Sequence, residues 1–391
     1  MNRREFLIGA SGAVLGAMLP FGCHKQARPQ KAAARQNAFP YLEVSGGPYQ
    51  VGHAIGKHFA WQIKEGIRRR RKWFDELKAF MDEDRSRRYE PFLETGKQFS
   101  PEAVEELRGS ADGAGLPFED LMVLILKSEL GAMKNKLKPE TPGCSTLALA
   151  HKDRLLLAHN EDGHVAYDGL MFLVKISIPG RPAFLRLTYP GIYSGSAPSF
   201  SDAGIAITTN FIDGRAVRPG GIPRYFISRA ARNARTLDEA VKIVTHPQRA
   251  FSFHFNLGSV KEKKILSVET SVDHHQVYEV RDLYVHTNHL ILDEMQNTPQ
   301  NEKYVNSSSM TRYRILTAEA QRLFDHLDDV DGDTLIKLLS IHDGAPYSPC
   351  RHPQGKVQGT TLASSLFDLK KGTWQLYYGN PCMGRKQTKK P

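Results

Sequence analysis

The sequence predicts an α+β fold, because a mostly helical first part of the chain is followed by a strand-rich part. Through about residue 140, apolar residues recur at the spacing of amphipathic helices. At Cys144 the period of the apolar pattern changes from about 3.6 residues to about 2, which is typical of strands. More helices and two closing strands follow. This order favours packed layers of helices and sheets over a parallel βαβ series.

The helical part begins after a short strand-like segment at 41–44. The glycine-rich segment 46–56 predicts a turn and then close packing of the helix that follows it. Two further helices are predicted at about 101–113 and 117–134, each with a proline near its start.

The strand-rich part alternates apolar segments with short polar turns such as 152–153. The predicted strands lie at 145–151, 154–160, 171–178, 183–189, 204–210, 252–258, 264–271, 275–280, 284–290, 360–368 and 373–379. The helices predicted within this part lie at about 236–246, 307–325 and 332–341.

The composition describes a chain with enough apolar residues for a large core, since 40% of its 391 residues are hydrophobic. Length alone suggests about two domains of roughly 150 residues, and one large layered domain is equally allowed. The formal net charge of +11 raises the question of a nucleic-acid partner. However, the densest basic cluster, 68–72, lies within a helical pattern, and no recognition motif accompanies it. We therefore predict a solvated helix face and no nucleic-acid partner; contact with anionic lipid headgroups is the second interpretation.

The amino terminus resembles a twin-arginine export signal at 1–23. Arg3 and Arg4 precede an apolar, small-residue stretch that ends at Gly22. This stretch is short for a membrane span of ~20 residues and is diluted by glycine, alanine and serine. We therefore expect a protein that works outside the cytoplasm, either periplasmic or anchored to the membrane.

Cys23 closes this stretch and is a candidate for lipidation, which would tether the mature chain to a membrane. Pro20 and Phe21 occupy places where a lipoprotein signal has leucine and a second, usually small, residue. An uncleaved signal anchor and cleavage at another position therefore stay open.

Cys144 is the first candidate catalytic residue. It follows Gly143 and precedes Ser145 and Thr146, deep inside the chain. An internal cysteine after a small residue can attack its own preceding peptide bond and become a new N-terminus. Its thiol titrates near ~8.5 and its new α-amine near ~7.7–8.0, so one residue would hold both a nucleophile and a base. The alternative is a small buried hydrophobic residue, as most free cysteines are.

Polar residues at predicted strand ends are candidates for the same site. The cluster 159–162 ends the strand that pairs back on that of Cys144, and its alternative is a polar turn. Asn210 and Asn288 end two other predicted strands. Acyl transfer needs neutral donors for the developing oxyanion, and one such amide is worth roughly 10²–10³ in rate. The alternative for either is an ordinary turn asparagine.

Taken in order, these motifs resemble the acyl-coenzyme A:6-aminopenicillanic acid acyltransferase family, the peptidase C45 group of N-terminal-nucleophile hydrolases, which is related to the choloylglycine hydrolases. The resemblance spans about 41–382. The motifs are 46–56, Gly143-Cys144-Ser145-Thr146, Asn160-Glu161-Asp162, Gly204-Ile205-Ala206 with Asn210, Thr287-Asn288-His289, Cys350-Arg351-His352 and Gly379-Asn380-Pro381-Cys382.

The resemblance implies a four-layer αββα sandwich and assigns roles by position. Cys144 would be the autoproteolytic and catalytic nucleophile, and Asp162 the carboxylate near its amine. Asn288, with Asn210, would build the oxyanion hole, and Arg312 would help to fix the site. No cofactor is implied.

Three positions depart from the patterns of these families. His159 stands where the choloylglycine hydrolases keep an arginine, and Glu161 and Gly163 replace aromatic residues common in the acyltransferases. Bile-salt hydrolysis is therefore disfavoured.

The histidines and the remaining cysteines bear on metal and disulfide sites. The 15 histidines include 274–275 and the pair 286 and 289, but none stands at a recognisable zinc spacing from a thiol or carboxylate. We predict no metal. Cys350 and Cys382 are left without a role, and an oxidising compartment would allow them to pair.

The expected protein is an exported, self-processing cysteine amidohydrolase that acts on small-molecule N-acyl amides through a thioester. It would cut at Gly143-Cys144, and the two fragments would stay associated. The expected organisation is a signal at 1–23, a flexible linker at 24–40, a helical part at 41–143, a catalytic part at 144–382 and a disordered tail at 383–391.

Three other functions are alternatives to this one. An acyltransferase is the first, but coenzyme A thioesters are cytoplasmic, so export favours hydrolysis. The second is a non-catalytic, membrane-tethered binding protein with this fold. A papain-like protease is disfavoured, because Ser145 and Thr146 replace the context that such an enzyme has after its cysteine.

Overall fold

The computed structural model describes residues 38–134, 143–192 and 197–390. The expected export signal at 1–23, with Cys23, lies outside the described residues, as does most of the expected linker.

Strands dominate the chain after Cys144. They are β1 (Tyr41–Ser45), β2 (Cys144–His151), β3 (Arg154–His164), β4 (Phe172–Ser177), β5 (Phe184–Thr188), β6 (Ser199–Ser201), β7 (Ile205–Phe211), β8 (Phe253–Ser259), β9 (Lys264–Thr270), β10 (His275–Glu279), β11 (Asp282–His286), β12 (Gly359–Asp368), β13 (Thr373–Tyr378) and β14 (Lys386–Lys389).

Helices form most of the chain before Cys144 and return in two later groups. They are α1 (Pro48–His58), α2 (Ala60–Arg69), α3 (Arg71–Asp82), α4 (Arg85–Arg88), α5 (Glu90–Phe99), α6 (Pro101–Ala114), α7 (Phe118–Ile125), α8 (Lys127–Met133), α9 (Arg224–Ala231), α10 (Leu237–Val244), α11 (Glu302–Tyr304), α12 (Met310–Leu323) and α13 (Gly332–Leu339).

Within the described residues, the strands form two sheets. The eight-stranded sheet has the order β1-β4-β5-β6-β7-β8-β9-β10, and the six-stranded sheet has the order β11-β2-β3-β12-β13-β14. Neighbouring strands are antiparallel except for β1, which pairs with β4 in parallel.

The two sheets face each other across a shared apolar core. Ala148 of β2 and Phe367 of β12 belong to the same buried cluster as Phe253 of β8. On the outer face of the six-stranded sheet, α12 and α13 cover a second apolar cluster. It contains Leu147 of β2 and Leu316 of α12. Helices of the first part, with α9 and α10, pack with the eight-stranded sheet. The four-layer αββα arrangement implied by the resemblance is therefore confirmed.

The glycine-rich segment 46–56 differs from its prediction. Helix α1 begins at Pro48 rather than after the segment, so a turn over its whole length is wrong. The close packing is confirmed, because a Cβ at Gly52 would collide with the backbone carbonyl of Glu106 in α6. Glycine lets the two helix backbones approach each other here, and a side chain would separate them.

Other element boundaries also differ from the sequence pattern. The helix predicted at 117–134 breaks at Leu126, and α9 and β6 were not predicted. The tail expected to be disordered from 383 instead forms β14, which pairs with Trp374–Tyr377 of β13. Backbone hydrogen bonds to β13 hold this edge strand. Its side chains are polar, so the sequence shows no apolar alternation that would predict a strand. None of the helices in residues 38–134, 143–192 and 197–390 is long and apolar enough to cross a membrane.

Candidate active site

The β2–β3 hairpin sets the position of Cys144. Its register pairs Cys144 with Glu161 and Thr146 with His159. Since side chains alternate along a strand, these four residues point to the same face of the six-stranded sheet. Thr146 contacts residues of β7 and β8, so this is the face between the two sheets.

The thiol of Cys144 lies in a dry, acidic environment. The residue is 4% exposed, and its Sγ lies 3.9 Å from Oε1 of Glu161. Burial raises the pKa of the thiol well above its usual value, and the carboxyl groups of Glu161 and Asp162 raise it further. A backbone hydrogen bond from Asp162 and the charge of Arg312 act in the opposite direction. The thiol is therefore protonated at neutral pH in the uncleaved chain.

Glu161 is the carboxyl group in contact with this thiol. Its Oε1 accepts a hydrogen bond of 2.8 Å from the Tyr189 hydroxyl, and its Oε2 lies 3.4 Å from Nε2 of His159. Burial raises the pKa of Glu161 to about 8, although Tyr189, Lys127 and Arg232 lower it in part. Burial also lowers the pKa of His159 to about 3. The two groups are thus within ion-pair distance but uncharged at neutral pH.

A buried hydrogen-bond chain fixes the His159 ring. Thr146 donates its one hydroxyl proton to Oδ1 of Asn210 at 3.0 Å, and its Oγ1 lies 2.9 Å from Nδ1 of His159. His159 therefore carries its proton on Nδ1, and Nε2 is left as an acceptor that faces Glu161. His254 also contacts Oδ1 of Asn210, at 3.1 Å. Nδ2 of Asn210 has no hydrogen-bond partner within the described part of the chain.

The backbone of Cys144 is held by Asn288 and Arg312. The Cys144 N–H donates to Oδ1 of Asn288 at 2.7 Å, and Nη2 of Arg312 donates to the same oxygen at 2.8 Å. Nη1 of Arg312 donates to the Cys144 carbonyl at 2.5 Å. Two donors on one oxygen fix the orientation of the Asn288 amide, and its Nδ2 donates to the Phe211 carbonyl at 2.9 Å. Asn288 therefore meets Cys144 through its oxygen in the uncleaved chain.

A side chain at position 143 would crowd two arginine side chains. A Cβ on Gly143 would lie 2.6 Å from Nη2 of Arg312 and 2.9 Å from Nη1 of Arg351. Both arginines are fully buried. Two guanidinium groups thus flank the peptide that joins Gly143 to Cys144.

Asp162 projects from the opposite face of β3. Its Oδ1 accepts a hydrogen bond of 2.7 Å from the Thr361 hydroxyl. Burial raises the pKa of Asp162 to about 6, and Arg351 and Arg312 counteract this rise. Glu161 and Asp162 are therefore neighbouring carboxyl groups with different environments and different pKa values.

The structure brings all five predicted site residues to one region around β2. They are Cys144, Asp162, Asn210, Asn288 and Arg312. Their roles in the oxyanion hole and beside the amine remain predictions. Sequence reasoning placed Glu161 in the candidate cluster 159–162 and Arg351 in a family motif without giving either residue a role of its own, and it missed Tyr189. The two-residue turn at 152–153 fixes the register of the hairpin and thereby pairs Glu161 with Cys144. The turn was therefore a sequence signal for the contact between these two residues.

Cys144 does not line either of two cavities found among the described residues. One of about 260 Å³ is lined by residues such as Ser252 and Asp273. The other, of about 200 Å³, is lined by residues such as Tyr284 and Phe324. Neither is assigned to the substrate.

Comparison with known proteins places the chain among amide-transforming enzymes. The sequence profile of the acyl-coenzyme A:6-aminopenicillanic acid acyl-transferase family matches residues 149–382. A beta-alanyl-dopamine/carcinine hydrolase of Drosophila melanogaster is 26% identical over 378 residues, which cover 90% of this chain and 95% of that protein.

Solved structures share the topology only loosely. An N-acylethanolamine-hydrolyzing acid amidase ortholog from Caenorhabditis elegans has a TM-score of 0.42 and 15% identity, over 58% of this chain and 93% of that chain. A conjugated bile acid hydrolase variant from Clostridium perfringens has a TM-score of 0.43 and 12% identity, over 60% of this chain and 89% of that chain. The fold assignment therefore rests on the layers described above.

Proposed function

Because the chain belongs to the acyl-coenzyme A:6-aminopenicillanic acid acyl-transferase family, we propose that it is a self-processing cysteine amidohydrolase for linear N-acyl amides. At a coarser level, it is an enzyme of the N-terminal-nucleophile class of amide hydrolases and acyltransferases. One observation carries the finer proposal: Cys144 begins β2 directly after a glycine that two guanidinium groups flank, and its sulfur lies 3.9 Å from a carboxyl group.

Self-cleavage is the first step. Sγ of Cys144 attacks the carbonyl carbon of Gly143, so that a C–S bond forms and the C–N bond breaks. The thiol proton passes to the Glu161 carboxylate and then to the departing nitrogen, which becomes the α-amine. Water then hydrolyses the thioester. The guanidinium groups of Arg312 and Arg351 flank this peptide and are suited to stabilise the negative charge on its oxygen.

Glu161 is assigned as the base of this first step because the α-amine does not exist before the cut. With a pKa of about 8, roughly a tenth of the Glu161 side chains is ionised at pH 7. His159 is a poor base here, since its pKa is lowered to about 3. Self-cleavage therefore proceeds from the minor, ionised form of Glu161.

Amide hydrolysis follows with the α-amine as base. This amine forms at the atom that contacts Oδ1 of Asn288 in the uncleaved chain. It deprotonates the thiol, which attacks the substrate amide and forms a thioester that water resolves. The unpartnered Nδ2 of Asn210 is a candidate oxyanion donor, and Nδ2 of Asn288 becomes a second one when it leaves Phe211. Asp162 would hold the ammonium form of the amine.

The two fragments are expected to stay together. Strand β1 lies before the cut and pairs in parallel with β4, which lies after it. Side chains of the part before the cut, such as Phe59 and Leu121, share one buried cluster with Leu173 of β4. Separation would expose this apolar surface to water.

Export and the acyl acceptor belong to the same proposal. We place the mature enzyme outside the cytoplasm on the strength of Arg3 and Arg4, with a membrane tether if Cys23 is lipidated. Water is then the expected acceptor. Replacement of both arginines by lysine should leave the protein in the cytoplasmic fraction.

The test is the intact mass of the purified wild type beside that of Cys144→Ala. The proposal expects two chains that break at 143/144 in the wild type and one chain in the variant. One chain in both would overturn self-processing. A single wild-type chain whose Cys144 does not react with iodoacetamide would instead support a non-catalytic binding protein.

Substrate choice is tested on the processed enzyme. β-Alanyl-dopamine and carcinine belong in the panel because the Drosophila relative is named for them. N-acyl amides with uncharged acyl chains complete it. Product analysis with and without an added amine separates hydrolysis from acyl transfer, since only a transferase forms the new amide as its main product.

A further inference from the structure

Four metal-binding side chains converge beside the segment that carries Arg351. His342 follows α13, Cys350 and His352 flank Arg351, and Cys382 lies in the short helical turn Pro381–Met383. One ligand atom from each of the four lies within 4.8 Å of the other three.

The distances among three of the four ligand atoms match a tetrahedral zinc site. The two sulfur atoms lie 3.7 Å apart, and Nε2 of His352 lies 3.8 Å from Sγ of Cys350 and 3.6 Å from Sγ of Cys382. With Zn–S bonds of about 2.3 Å and Zn–N bonds of about 2.0–2.1 Å, tetrahedral angles require S–S and S–N separations of about 3.8 and about 3.6 Å. An ion at the centre would need little movement of these atoms.

We propose that His342, Cys350, His352 and Cys382 bind one Zn²⁺ ion. Two thiolates and two imidazoles are a donor set that selects zinc, and four protein ligands make a closed, structural site. Cys350 is buried and the other three residues are exposed, so the ion can enter from solvent. This proposal does not rest on the proposed catalytic activity.

The surroundings of Cys350 support a bound thiolate. The side-chain amide of Asn380 lies 3.4 Å from Sγ of Cys350 and is oriented to donate to it. Hydrogen bonds of this kind to ligating sulfur orient and tune metal sites. The Cys350 N–H donates to the carbonyl of Ile341 at 2.9 Å, which places His342 beside it.

The ion would hold the segment that carries Arg351. Both neighbours of Arg351 are ligands, and they would be joined through the metal to His342 and Cys382. The backbone of Arg351 is already pinned, because its N–H donates to Thr361 Oγ1 at 2.9 Å and its carbonyl accepts from Asn380 at 2.6 Å. Its guanidinium group reaches the position of Gly143. Zinc would therefore fix one of the two arginines at the cleavage point.

A disulfide is the competing chemistry for the two cysteines. Both are free thiols in the structure. A disulfide would draw the sulfur atoms to about 2.05 Å and remove two ligands at once. The cluster also differs from the sequence-based prediction of no metal. Three separate segments of the chain supply its ligands, so no local spacing in the sequence reveals the site.

The experiment measures zinc per chain by elemental analysis in the purified full-length protein, and zinc affinity by competition with a chromophoric chelator. We expect one equivalent of zinc in the wild type. Cys382→Ser and His352→Asn should each lose at least about 100-fold in zinc affinity, since mutation of residues that only support a metal ligand already costs 10–100-fold. Cys144→Ala and the exposed His326→Asn are the matched controls and should keep the ion.

Three results would overturn the proposal. They are a reduced wild type that binds no zinc, a Cys382→Ser variant that binds zinc as tightly as the wild type, and a Cys350–Cys382 disulfide peptide in protein purified without oxidant. If the variants do not fold, cobalt-loaded wild type decides. Sulfur-to-cobalt charge transfer with intense tetrahedral ligand-field bands supports the site, and the weak bands of an octahedral ion refute it.

Discussion

Replacement of Glu161 by glutamine tests which group activates the thiol before the chain is cut. The substitution keeps the size of the side chain and leaves Oε1 available to the Tyr189 hydroxyl, which donates to it at 2.8 Å. Its new amide N–H₂ faces the acceptor Nε2 of His159, in the place of the carboxyl group. Because Glu161 is mostly uncharged at pH 7, the fold loses no buried charge. We therefore expect a change in unfolding free energy within about 1 kcal/mol.

The rate of self-cleavage should respond far more than stability does. A positioned general base contributes roughly 10²–10⁴-fold, so Glu161→Gln should slow the cut by about that factor. The pKa of Glu161 is about 8, and the ionised fraction of such a group rises about 90-fold between pH 6 and pH 9. Wild-type cleavage should rise with pH in the same way and level off above pH 8. The variant should lose this rise.

The assay is a pH jump. Uncleaved protein is purified at pH 6, where the reaction is slow, and is followed by intact mass after transfer to pH 7, 8 and 9. Asp162→Asn is the matched control, because Asp162 projects from the other face of β3. In this control variant, the cleavage rate should still increase with pH, with the midpoint of the increase near pH 8. A Glu161→Gln variant that cleaves at the wild-type rate with the wild-type pH profile would refute the assignment.

Three further substitutions test the geometry around the cut and the packing of the helices. Gly143→Ala should slow cleavage by about 100-fold, because its Cβ displaces the scissile peptide from two guanidinium groups; a wild-type rate by intact mass contradicts this. Arg312→Lys keeps the positive charge but loses the two hydrogen bonds that the guanidinium group donates to Cys144 and Asn288. The rate of cleavage should fall by ~10²–10³ in the same assay. Cleavage at the wild-type rate would show that the charge alone suffices. Gly52→Ala should lower the free energy of unfolding in urea by about 1–3 kcal/mol, because its Cβ collides with Glu106 of α6. Exposed His53→Ala is its control, and equal midpoints would contradict the packing.

The hairpin that carries Cys144 is well predicted from sequence, whereas the roles of the residues around it are predicted less well. Alternation from Cys144 onward and the polar turn at 152–153 define both strands to within a few residues. The same alternation separates Glu161 from Asp162. Resemblance by position led to Asp162 alone, because a family pattern says which residue recurs and not which face of a strand it occupies.

Asn288 shows a different limit of sequence reasoning. The predicted strand 284–290 ends at His286, and the backbone N–H of Asn288 donates to Ser309 Oγ instead of a neighbouring strand. The apolar pattern continues past this point, so it gives no sign of the break. What positions Asn288 is a contact with a residue beside α12, and tertiary contacts of this kind leave no local pattern.

In the proposed mechanism, the environment of Cys144 lets one residue serve both before and after the cut. In the uncleaved chain, the thiol, Glu161 and His159 are all uncharged at neutral pH because burial disfavours their charged forms. A protonated thiol is a weak nucleophile, so the site is slow to react until Glu161 ionises. The cut then places a new amine at the atom that Asn288 now holds. That amine titrates near ~7.7–8.0 and deprotonates the thiol without help from a buried carboxyl group. Glu161→Gln should therefore impair maturation more than turnover, and Asp162→Asn should do the reverse.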